Sequence, residues 1–235
     1  MSAPQPCQLP LGLQLDDEAT FANFHVADSN AQLLQYLAAA LAMVGPRLVY
    51  LWGATGCGRS HLTQAMCHAA VSRELSAMFI PLGEQAALHP DILQGLESLS
   101  LVCLDDVDAV LGDSAWEQAI FSLYNAAQDS GLTLVVTAAG PPQQLPCELP
   151  DLRSRLQSGV VFQVHEPDEA NKRALLKLRA ASRGFTLDDG VLNYILLRNE
   201  RSVGALMAVL DRLDTLSLQE QRPVTIPLVR QAMGW

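Results

Sequence analysis

Basic residues are scarce in this sequence. Its 235 residues include 15 Lys and Arg against 25 Asp and Glu, which gives a formal net charge of −10 at pH 7. No long run of Lys or Arg is present. Because affinity for nucleic acid depends largely on cations that neutralise phosphates, this composition argues against direct nucleic-acid binding as a general property.

Signals for membrane insertion and secretion are also missing. No apolar run approaches the roughly 20 residues that a transmembrane helix requires. The first residues, Met1-Ser-Ala-Pro-Gln-Pro-Cys7, have neither the basic start nor the long apolar stretch of a signal peptide. We therefore expect a cytoplasmic protein, and its 49% of hydrophobic residues is enough for a packed core.

Cysteine and histidine are few and scattered. The five cysteines are odd in number and include no Cys-x-x-Cys pair, which argues against both a disulfide framework and a zinc site. The five histidines show no ligand spacing either. We therefore expect buried or incidental thiols, and histidines that are structural or exposed rather than catalytic.

One glycine-rich segment, Gly53-Ala-Thr-Gly-Cys-Gly-Arg-Ser60, matches the P-loop pattern G-x-x-x-x-G-K-[ST] except that Arg59 takes the place of lysine. The apolar stretch 48–52 precedes it and predicts a buried strand, and the stretch 60–70 follows and predicts a helix. A strand, a loop and a helix in this order are typical of a phosphate-binding loop. A glycine-rich turn that only connects the two elements is the alternative.

Each residue type in this loop would have a chemical role. Gly53, Gly56 and Gly58 allow backbone amides to approach phosphate oxygens beside a helix N-terminus. Ser60 offers a hydroxyl to Mg²⁺. The planar fork of Arg59 is longer than a lysine ammonium and fixed in geometry, so we expect nucleotide binding with impaired turnover.

A second segment, Leu101-Val-Cys-Leu-Asp-Asp106, ends a predicted buried strand with two acids, as a Walker B motif does. Asp105 would hold Mg²⁺. Asp106 stands where many P-loop ATPases have a glutamate that polarises the attacking water, and it is one methylene shorter. Displacing a catalytic group by about 1 Å can cost on the order of a hundredfold in rate. Two acids that only cap a helix or line a loop are the alternative.

The remaining pattern alternates strands with helices and then becomes purely helical. Residues 1–19 are rich in Pro and Gln and predict a flexible tail. Residues 20–165 predict an α/β nucleotide-binding base with a five-stranded parallel sheet flanked by helices, and residues 166–235 a small all-helical lid. The predicted strands are 48–52, 77–80, 99–104, 132–137 and 160–164. The predicted lid helices are 168–182, 188–199, 203–219 and 226–233.

Two helix starts in the base carry capping signals. Asn30 is expected to cap a helix that runs to about Val44. Ser114 and Glu117 have the spacing of a capping box at the start of a helix that runs to about Gln128. Both signals predict that a side chain satisfies the first amides of its own helix.

Several ordered blocks together resemble one family: the AAA+ module of the bacterial replication initiator DnaA and its shorter, regulatory Hda-type homologues. Besides the P-loop and Walker B segments, these blocks are Thr20-Phe-Ala-Asn-Phe24, Trp116-Glu-Gln-Ala-Ile-Phe-Ser-Leu-Tyr-Asn125 and Leu149-Pro-Asp-Leu-Arg-Ser-Arg-Leu156. The resemblance covers nearly the whole chain. It implies an AAA+ fold with an adenine nucleotide, ADP or ATP, as ligand and Mg²⁺ as its companion.

The resemblance also implies particular site residues. The segment that contains Phe21, Phe24 and Asn30 is similar to the one that packs against adenine in the initiator. The implied phosphate-loop contacts are Gly53, Gly56, Cys57, Gly58, Arg59, Ser60 and His61. The implied Mg²⁺ ligands are Ser60 and Asp105.

Two departures from the family pattern affect the γ-phosphate. Ala139 takes the place of an acidic sensor on the strand between the two Walker strands. Gly204 stands where the lid is expected to carry a phosphate-sensing arginine, and Arg201, one helical turn earlier, is a candidate to replace it. Both departures predict weak discrimination of the γ-phosphate.

Arg155 falls at the family's arginine-finger position. The resemblance implies that it reaches the nucleotide of a neighbouring subunit and stabilises charge during phosphoryl transfer there. A surface salt bridge is the alternative role, and Arg153 is the alternative candidate for the finger.

The tail segment Gln8-Leu-Pro-Leu-Gly-Leu13 resembles the short peptide by which bacterial proteins dock on the sliding clamp, the beta subunit of DNA polymerase III. Gln8 would fill a polar subpocket, while Leu9, Leu11 and Leu13 supply the apolar contacts. Gly12 replaces the usual proline and loosens the peptide. A tail with scattered leucines is the alternative.

The sequence ends at Trp235, where the initiator would continue into a DNA-reading domain, so we expect no sequence-specific DNA binding of its own. The resemblance implies a regulatory inactivator that carries ADP, docks on the clamp, has little turnover and stimulates ATP hydrolysis on DnaA. Such a protein represses initiation of DNA replication, and a homo-oligomer is compatible with it. The alternatives are an autonomous ATPase of the helicase-loader type and a nucleotide-free interaction module.

Overall fold

A computed structural model describes residues 15–24, 28–42, 48–83, 88–200 and 202–235 of the chain. The strands in these ranges are β1 (Leu48–Trp52), β2 (Ala77–Pro81), β3 (Leu101–Asp105), β4 (Thr133–Ala138) and β5 (Val160–Gln163). The α-helices are α1 (Ala31–Leu41), α2 (Arg59–Val71), α3 (Ser114–Ser130), α4 (Pro150–Ser158), α5 (Glu169–Ser182), α6 (Asp189–Arg198), α7 (Val203–Glu220) and α8 (Ile226–Met233).

The five strands form one parallel sheet in the order β2-β3-β4-β1-β5. This arrangement confirms the predicted five-stranded parallel sheet flanked by helices. Because all strands run the same way, their carboxyl ends share one edge, and the loop after β1 meets the end of β3 there. β4 lies between these two strands, with Thr137 of β4 paired to Leu51 of β1.

Side chains that alternate along β1 explain why the sheet is covered on both faces. Leu48 and Tyr50 pack into a core with α3 and α4, whereas Val49 and Leu51 pack into a second core with α1 and α2. A parallel strand that is buried on both faces reads as a continuous apolar run. Because β1 and β3 are buried on both faces, each could be predicted from a continuous apolar run in the sequence.

The four helices α5 to α8 form a separate core, as the predicted lid requires. Its fully buried side chains include Leu176 of α5, Ile195 of α6, Leu206 of α7 and Val229 of α8. α5 and α6 are capped by the residues just before them, because Asp168 and Asp188 accept hydrogen bonds from their first turns. No helix within the described ranges is both long and apolar enough to cross a membrane.

The expected capping role of Asn30 is wrong. The side chain of Asn30 makes no capping bond to α1. Its Nδ2 donates to the carbonyl of His165 at 3.1 Å, and its Oδ1 accepts from the amide of His165 at 3.1 Å. Two bonds to a segment 135 residues away replace one local bond, so Asn30 ties the start of α1 to the chain after β5.

The predicted capping box at Ser114 is also wrong. Asp113, one residue earlier, caps α3 by accepting from the amides of Ala115 and Trp116. The carboxylate of Glu117 does not return to the helix start. It accepts from the amides of Gly112, Glu148 and Leu149 at 2.9, 2.8 and 2.6 Å, so that it holds the loop before α4 against α3.

Candidate nucleotide site

The loop after β1 has the backbone form of a phosphate cradle. Gly56 and Gly58 have φ angles of +82° and +104°, a backbone conformation in which a residue with a side chain would be strained. A Cβ added to Gly58 would lie 2.8 Å from the ring of Phe24, and one added to Gly53 would lie 2.4 Å from the carbonyl of Val164. Gly53 and Gly58 are therefore needed because the loop packs closely against Val164 and Phe24.

This loop also leaves backbone donors available. Gly58 is the N-cap of α2, and glycine has no side chain with which to cap the first amides of the helix. Free amides at a helix N-terminus favour a phosphate group. The cradle and these amides together fit the phosphates of a nucleotide, and the predicted loop residues are the ones that form it.

Arg59, the residue that departs from the P-loop pattern, is turned into the protein. Its side chain is only 8% exposed. Its Nη1 donates to the carbonyl of Gly53, and its Nη2 forms an ion pair with Oδ1 of Asp106 at 2.7 Å. The cation of the loop and the second acid of the Walker B segment therefore neutralise each other.

The first Walker B acid, Asp105, is held by hydroxyl groups. It is 4% exposed and accepts a hydrogen bond from Oγ1 of Thr137 at 2.7 Å and another from Ser60. Burial raises the pKa of this carboxyl group above its usual value, while the bonds from the two hydroxyls oppose the rise. Ser60 and Asp105, predicted from distant parts of the sequence, are thus brought together.

Ser60 and Asp105 fit a site in which the protein supplies only part of the coordination shell of Mg²⁺. Within the described ranges no group of three or more His, Cys, Asp or Glu is placed to hold a metal ion. Mg²⁺ in nucleotide sites keeps several waters and takes phosphate oxygens as ligands, so few protein ligands are needed. Ser60 and Asp105 are the oxygen donors that would serve it here.

Thr137 is a site residue that the sequence did not reveal. Besides its bond to Asp105, its Oγ1 accepts from the backbone amide of Asp106 at 2.8 Å. Asp106 itself lies in the left-handed region, with φ of +54°. The strand 133–138 has two polar side chains, Thr133 and Thr137, and the signal that could have identified Thr137 is its place near the carboxyl end of the strand, next to the Walker B strand.

A cleft of about 270 Å³ adjoins the phosphate cradle between the base and the lid. From the base it is lined by Phe24, Asn30, Gly56, Cys57, Gly58, His61 and His165, among others. From the lid it is lined by Leu175, Arg179, Arg183, Val203, Met207 and Asp211. Phe21 packs against the core between α1 and α2 and is not among the residues that line the cleft.

His61 joins the cleft wall to the segment before α1. Its Nε2 lies 2.8 Å from the carbonyl of Thr20, and its ring is 5.6 Å from that of Phe24. Burial lowers the pKa of His61, so the neutral imidazole donates from Nε2 to that carbonyl. His61 and Phe24 thus present an ordered aromatic surface to the cleft.

Glu18 fastens the same segment to the lid. Its carboxylate pairs with Arg179 at 3.1 Å and with Arg183 at 2.9 Å, and both arginine side chains are less than 10% exposed. The hydrogen bond from Arg183 lowers the pKa of Glu18. Arg183 also reaches Asp211 of α7 at 2.6 Å. Glu18 therefore binds the C-terminal end of α5 directly and is linked to α7 through Arg183.

The residue at the predicted arginine-finger position, Arg155, lies exposed on α4. Its guanidinium carbon is 5.4 Å from the centre of the Tyr124 ring. No ion pair joins Arg155 to any residue in the described ranges, so a surface salt bridge does not occupy it there. Arg153 differs, because its guanidinium donates to the carbonyl of Cys147 and holds the loop before α4.

The two positions that depart from the family pattern, Ala139 and Gly204, lie in different parts of the structure. The amide of Ala139 donates to the carboxylate of Asp108 at 3.3 Å. Gly204, in the first turn of α7, places its amide nitrogen 3.9 Å from where a Cβ on Gly56 would stand. The lid backbone therefore comes directly to the loop at the place where a sensor side chain was expected.

Some predicted site residues lie outside the described ranges. These are the clamp-peptide residues Gln8, Leu9, Leu11, Gly12 and Leu13, and the candidate sensor Arg201. Their roles remain predictions.

Two family models together match almost all of the described chain. The bacterial DnaA ATPase domain matches residues 15–163, and the lid domain of Hda matches residues 168–233. The boundary between the two matches falls where the sheet ends and the helical region begins.

Solved structures support the same fold. Domain III of the Thermotoga maritima replication initiation protein DnaA superposes with a TM-score of 0.79 at 21% identity, over 94% of this chain and 98% of that one. AMPPCP-bound DnaA from Aquifex aeolicus has a TM-score of 0.73 at 20% identity, over 88% and 68% of the two chains.

A more distant likeness is to the Thermotoga maritima RuvB Holliday junction branch migration motor, with a TM-score of 0.64 at 14% identity, over 92% of this chain and 73% of that one. At these sequence identities the solved structures show the fold alone. The family models show common descent. The chain belongs to the DnaA family of AAA+ proteins, as a homologue with an Hda-type lid.

Proposed function

We propose that this protein is a regulatory inactivator of the replication initiator DnaA, which binds an adenine nucleotide and stimulates ATP hydrolysis on DnaA in trans. Nucleotide binding is supported by the glycine cradle, by the uncapped amides at the start of α2 and by the adjoining cleft. A DnaA relative of the same fold was solved with AMPPCP bound.

The observation that carries the proposal is a contrast between two arginines. Arg59, inside the chain's own site, is buried and neutralised by Asp106. Arg155 is exposed on α4, and within the described ranges its guanidinium lies over the uncharged Tyr124 ring and forms no ion pair. A cation that faces outward from the base is available to a nucleotide on another subunit, where it would stabilise charge that develops during hydrolysis.

The same contrast supports weak turnover by the protein itself. A catalytic P-loop cation contacts the β- and γ-phosphates, and the second Walker B acid polarises water. Here these two groups are paired with each other. Ala139 and Gly204 supply no side chain that could sense the γ-phosphate, which favours ADP as the resident ligand.

Docking on the sliding clamp through Gln8, Leu9, Leu11 and Leu13 would complete the regulator. Hydrolysis would leave DnaA in its ADP form and so prevent repeated initiation at the replication origin. The clamp would bring the protein to newly replicated DNA without a DNA-reading element in the described chain.

The test is a single-residue comparison on α4. Arg155→Ala should reduce the stimulation of ATP hydrolysis by DnaA by on the order of 10³-fold, because an arginine finger contributes that much or more. Hydrolysis is measured with labelled ATP prebound to DnaA, in the presence of clamp loaded on DNA.

Arg153→Ala is the matched control, since it removes the same charge from the same helix but from a residue bonded to Cys147. It should retain most of the stimulation, provided that its thermal unfolding shows a folded protein. Normal stimulation by Arg155→Ala would refute the finger assignment, and multiple turnover of ATP by the protein alone would favour an autonomous ATPase instead.

A further inference from the structure

The Arg59–Asp106 ion pair has a consequence for which nucleotide the site accepts. We propose that Asp106 is a counter-ion that holds Arg59 away from the γ-phosphate, so that the pair selects nucleoside diphosphates over triphosphates. This inference rests on the proposed nucleotide binding and assigns Asp106 a role other than that of a catalytic acid.

Both terminal nitrogens of Arg59 already donate to groups within the protein. One donates to the carbonyl of Gly53 at the start of the loop, and the other pairs with Asp106 at 2.7 Å. Because the side chain is only 8% exposed, releasing it would leave a buried carbonyl and a carboxylate without their donor. A ligand that needs this cation must offset that loss.

The backbone of Asp106 is fixed in position. Its backbone is in the left-handed region at φ of +54°, and its amide donates to Oγ1 of Thr137 at 2.8 Å. Thr137 is itself bonded to Asp105, so the backbone of Asp106 is anchored to β3 and β4. The carboxylate of Asp106 can therefore follow Arg59 toward a phosphate only as far as rotation of its own side chain allows.

A nucleoside diphosphate and a nucleoside triphosphate differ in whether they reach the Arg59–Asp106 ion pair. A diphosphate uses the glycine cradle and the amides of α2, and it leaves the ion pair intact. A triphosphate extends toward the end of β3, where it meets either a neutralised Arg59 or, if Arg59 moves, an uncompensated Asp106. Two negative groups at close range repel each other, and solvent screens only part of this repulsion because the side chain of Asp106 is 39% exposed.

The experiment measures equilibrium binding of ADP and of AMPPCP by calorimetry, with Mg²⁺ present, for wild type and Asp106→Asn. The variant keeps the shape of the side chain and removes its charge. We expect the affinity for AMPPCP to rise about tenfold relative to ADP, since a change of that size needs only part of one close charge interaction. The affinity for ADP should stay within about twofold.

Asp108→Asn is the matched control, because it removes the same charge from the same loop but bonds to Ala139 rather than to Arg59. An equal rise in Asp108→Asn would overturn the inference, since the cause would then be the general loss of negative charge.

Thermal unfolding of each variant shows whether it is folded. Wild type that binds ADP but shows the same ratio of affinities as Asp106→Asn would overturn this inference and leave the proposed function standing. Wild type that binds neither nucleotide would overturn both the inference and the nucleotide binding on which it rests.

Discussion

At the scale of single residues, the ring beneath Arg155 is as informative as Arg155 itself. Tyr124 is 6% exposed, and its hydroxyl lies 3.2 Å from Oγ of Ser158 on the same helix as Arg155. A ring fixed in this way limits the rotamers of the guanidinium above it, and exposed cation–π contacts contribute about 0.5–1 kcal/mol. Tyr124 therefore positions the proposed finger.

We expect Tyr124→Leu to lower the maximal stimulation of DnaA hydrolysis about two- to fivefold, with little change in the concentration for half-maximal stimulation. Tyr124→Phe keeps the ring and should restore most of the effect. A titration of the protein against ATP-bound DnaA separates the two parameters. Equal maximal rates for the Leu and Phe variants would contradict a positioning role.

Residue types predicted the chemistry of the site better than they predicted its contacts. The positions of Gly56, Gly58 and Ser60 followed from the loop pattern, because that geometry is local. The pairing of Arg59 with Asp106 joins residues 47 apart, and the role of Thr137 depends on strand order. Neither is encoded in any short stretch of sequence.

At the scale of elements, Glu117 joins α3 to α4. Burial opposes ionisation of this carboxyl group, but the hydrogen bonds from the amides of Gly112, Glu148 and Leu149 outweigh it and lower its pKa. Glu117→Gln removes the charge and one acceptor from this junction. We expect it to lower the free energy of unfolding by about 2 kcal/mol at pH 7, measured by urea denaturation.

The pH dependence gives the check. A lowered pKa in the folded state means that the stabilisation is present above the unfolded value of 4.5 and is lost as the pH falls through the folded value. The difference in the free energy of unfolding between wild type and Glu117→Gln should therefore shrink below pH 4.5.

Ser114→Ala should change the free energy of unfolding by less than about 0.5 kcal/mol, because Asp113 is the cap of α3. A larger loss would restore Ser114 as the cap.

Strands and helices were largely predictable, because their signals are periodic and local. The apolar runs of β1 and β3 and the capped helices of the lid occupy the expected ranges within a few residues. Asn30 and Glu117 were assigned to the wrong bonds because each found partners more than 30 residues away. Capping rules consider only neighbouring residues, so they do not take into account hydrogen-bond partners that are distant in the sequence.

At the scale of the whole molecule, the clamp peptide and the nucleotide site are separated by only a few residues of chain. Changing Gln8 and Leu11 together to Ala should abolish capture by immobilised clamp, because a short peptide depends on a few anchors. ADP binding by the same variant should be unchanged and serves as the control. Undiminished capture would remove the peptide from the proposed function.

The meeting of Gly56 and Gly204 affects how the lid can be studied. The lid reaches the phosphate loop with a backbone amide, 3.9 Å from where a Cβ on Gly56 would stand. Alanine scanning deletes side chains and leaves backbone amides in place, so a scan of the lid would pass over this contact. This approach of the lid to the loop is thus made by a backbone amide that every substitution except proline retains.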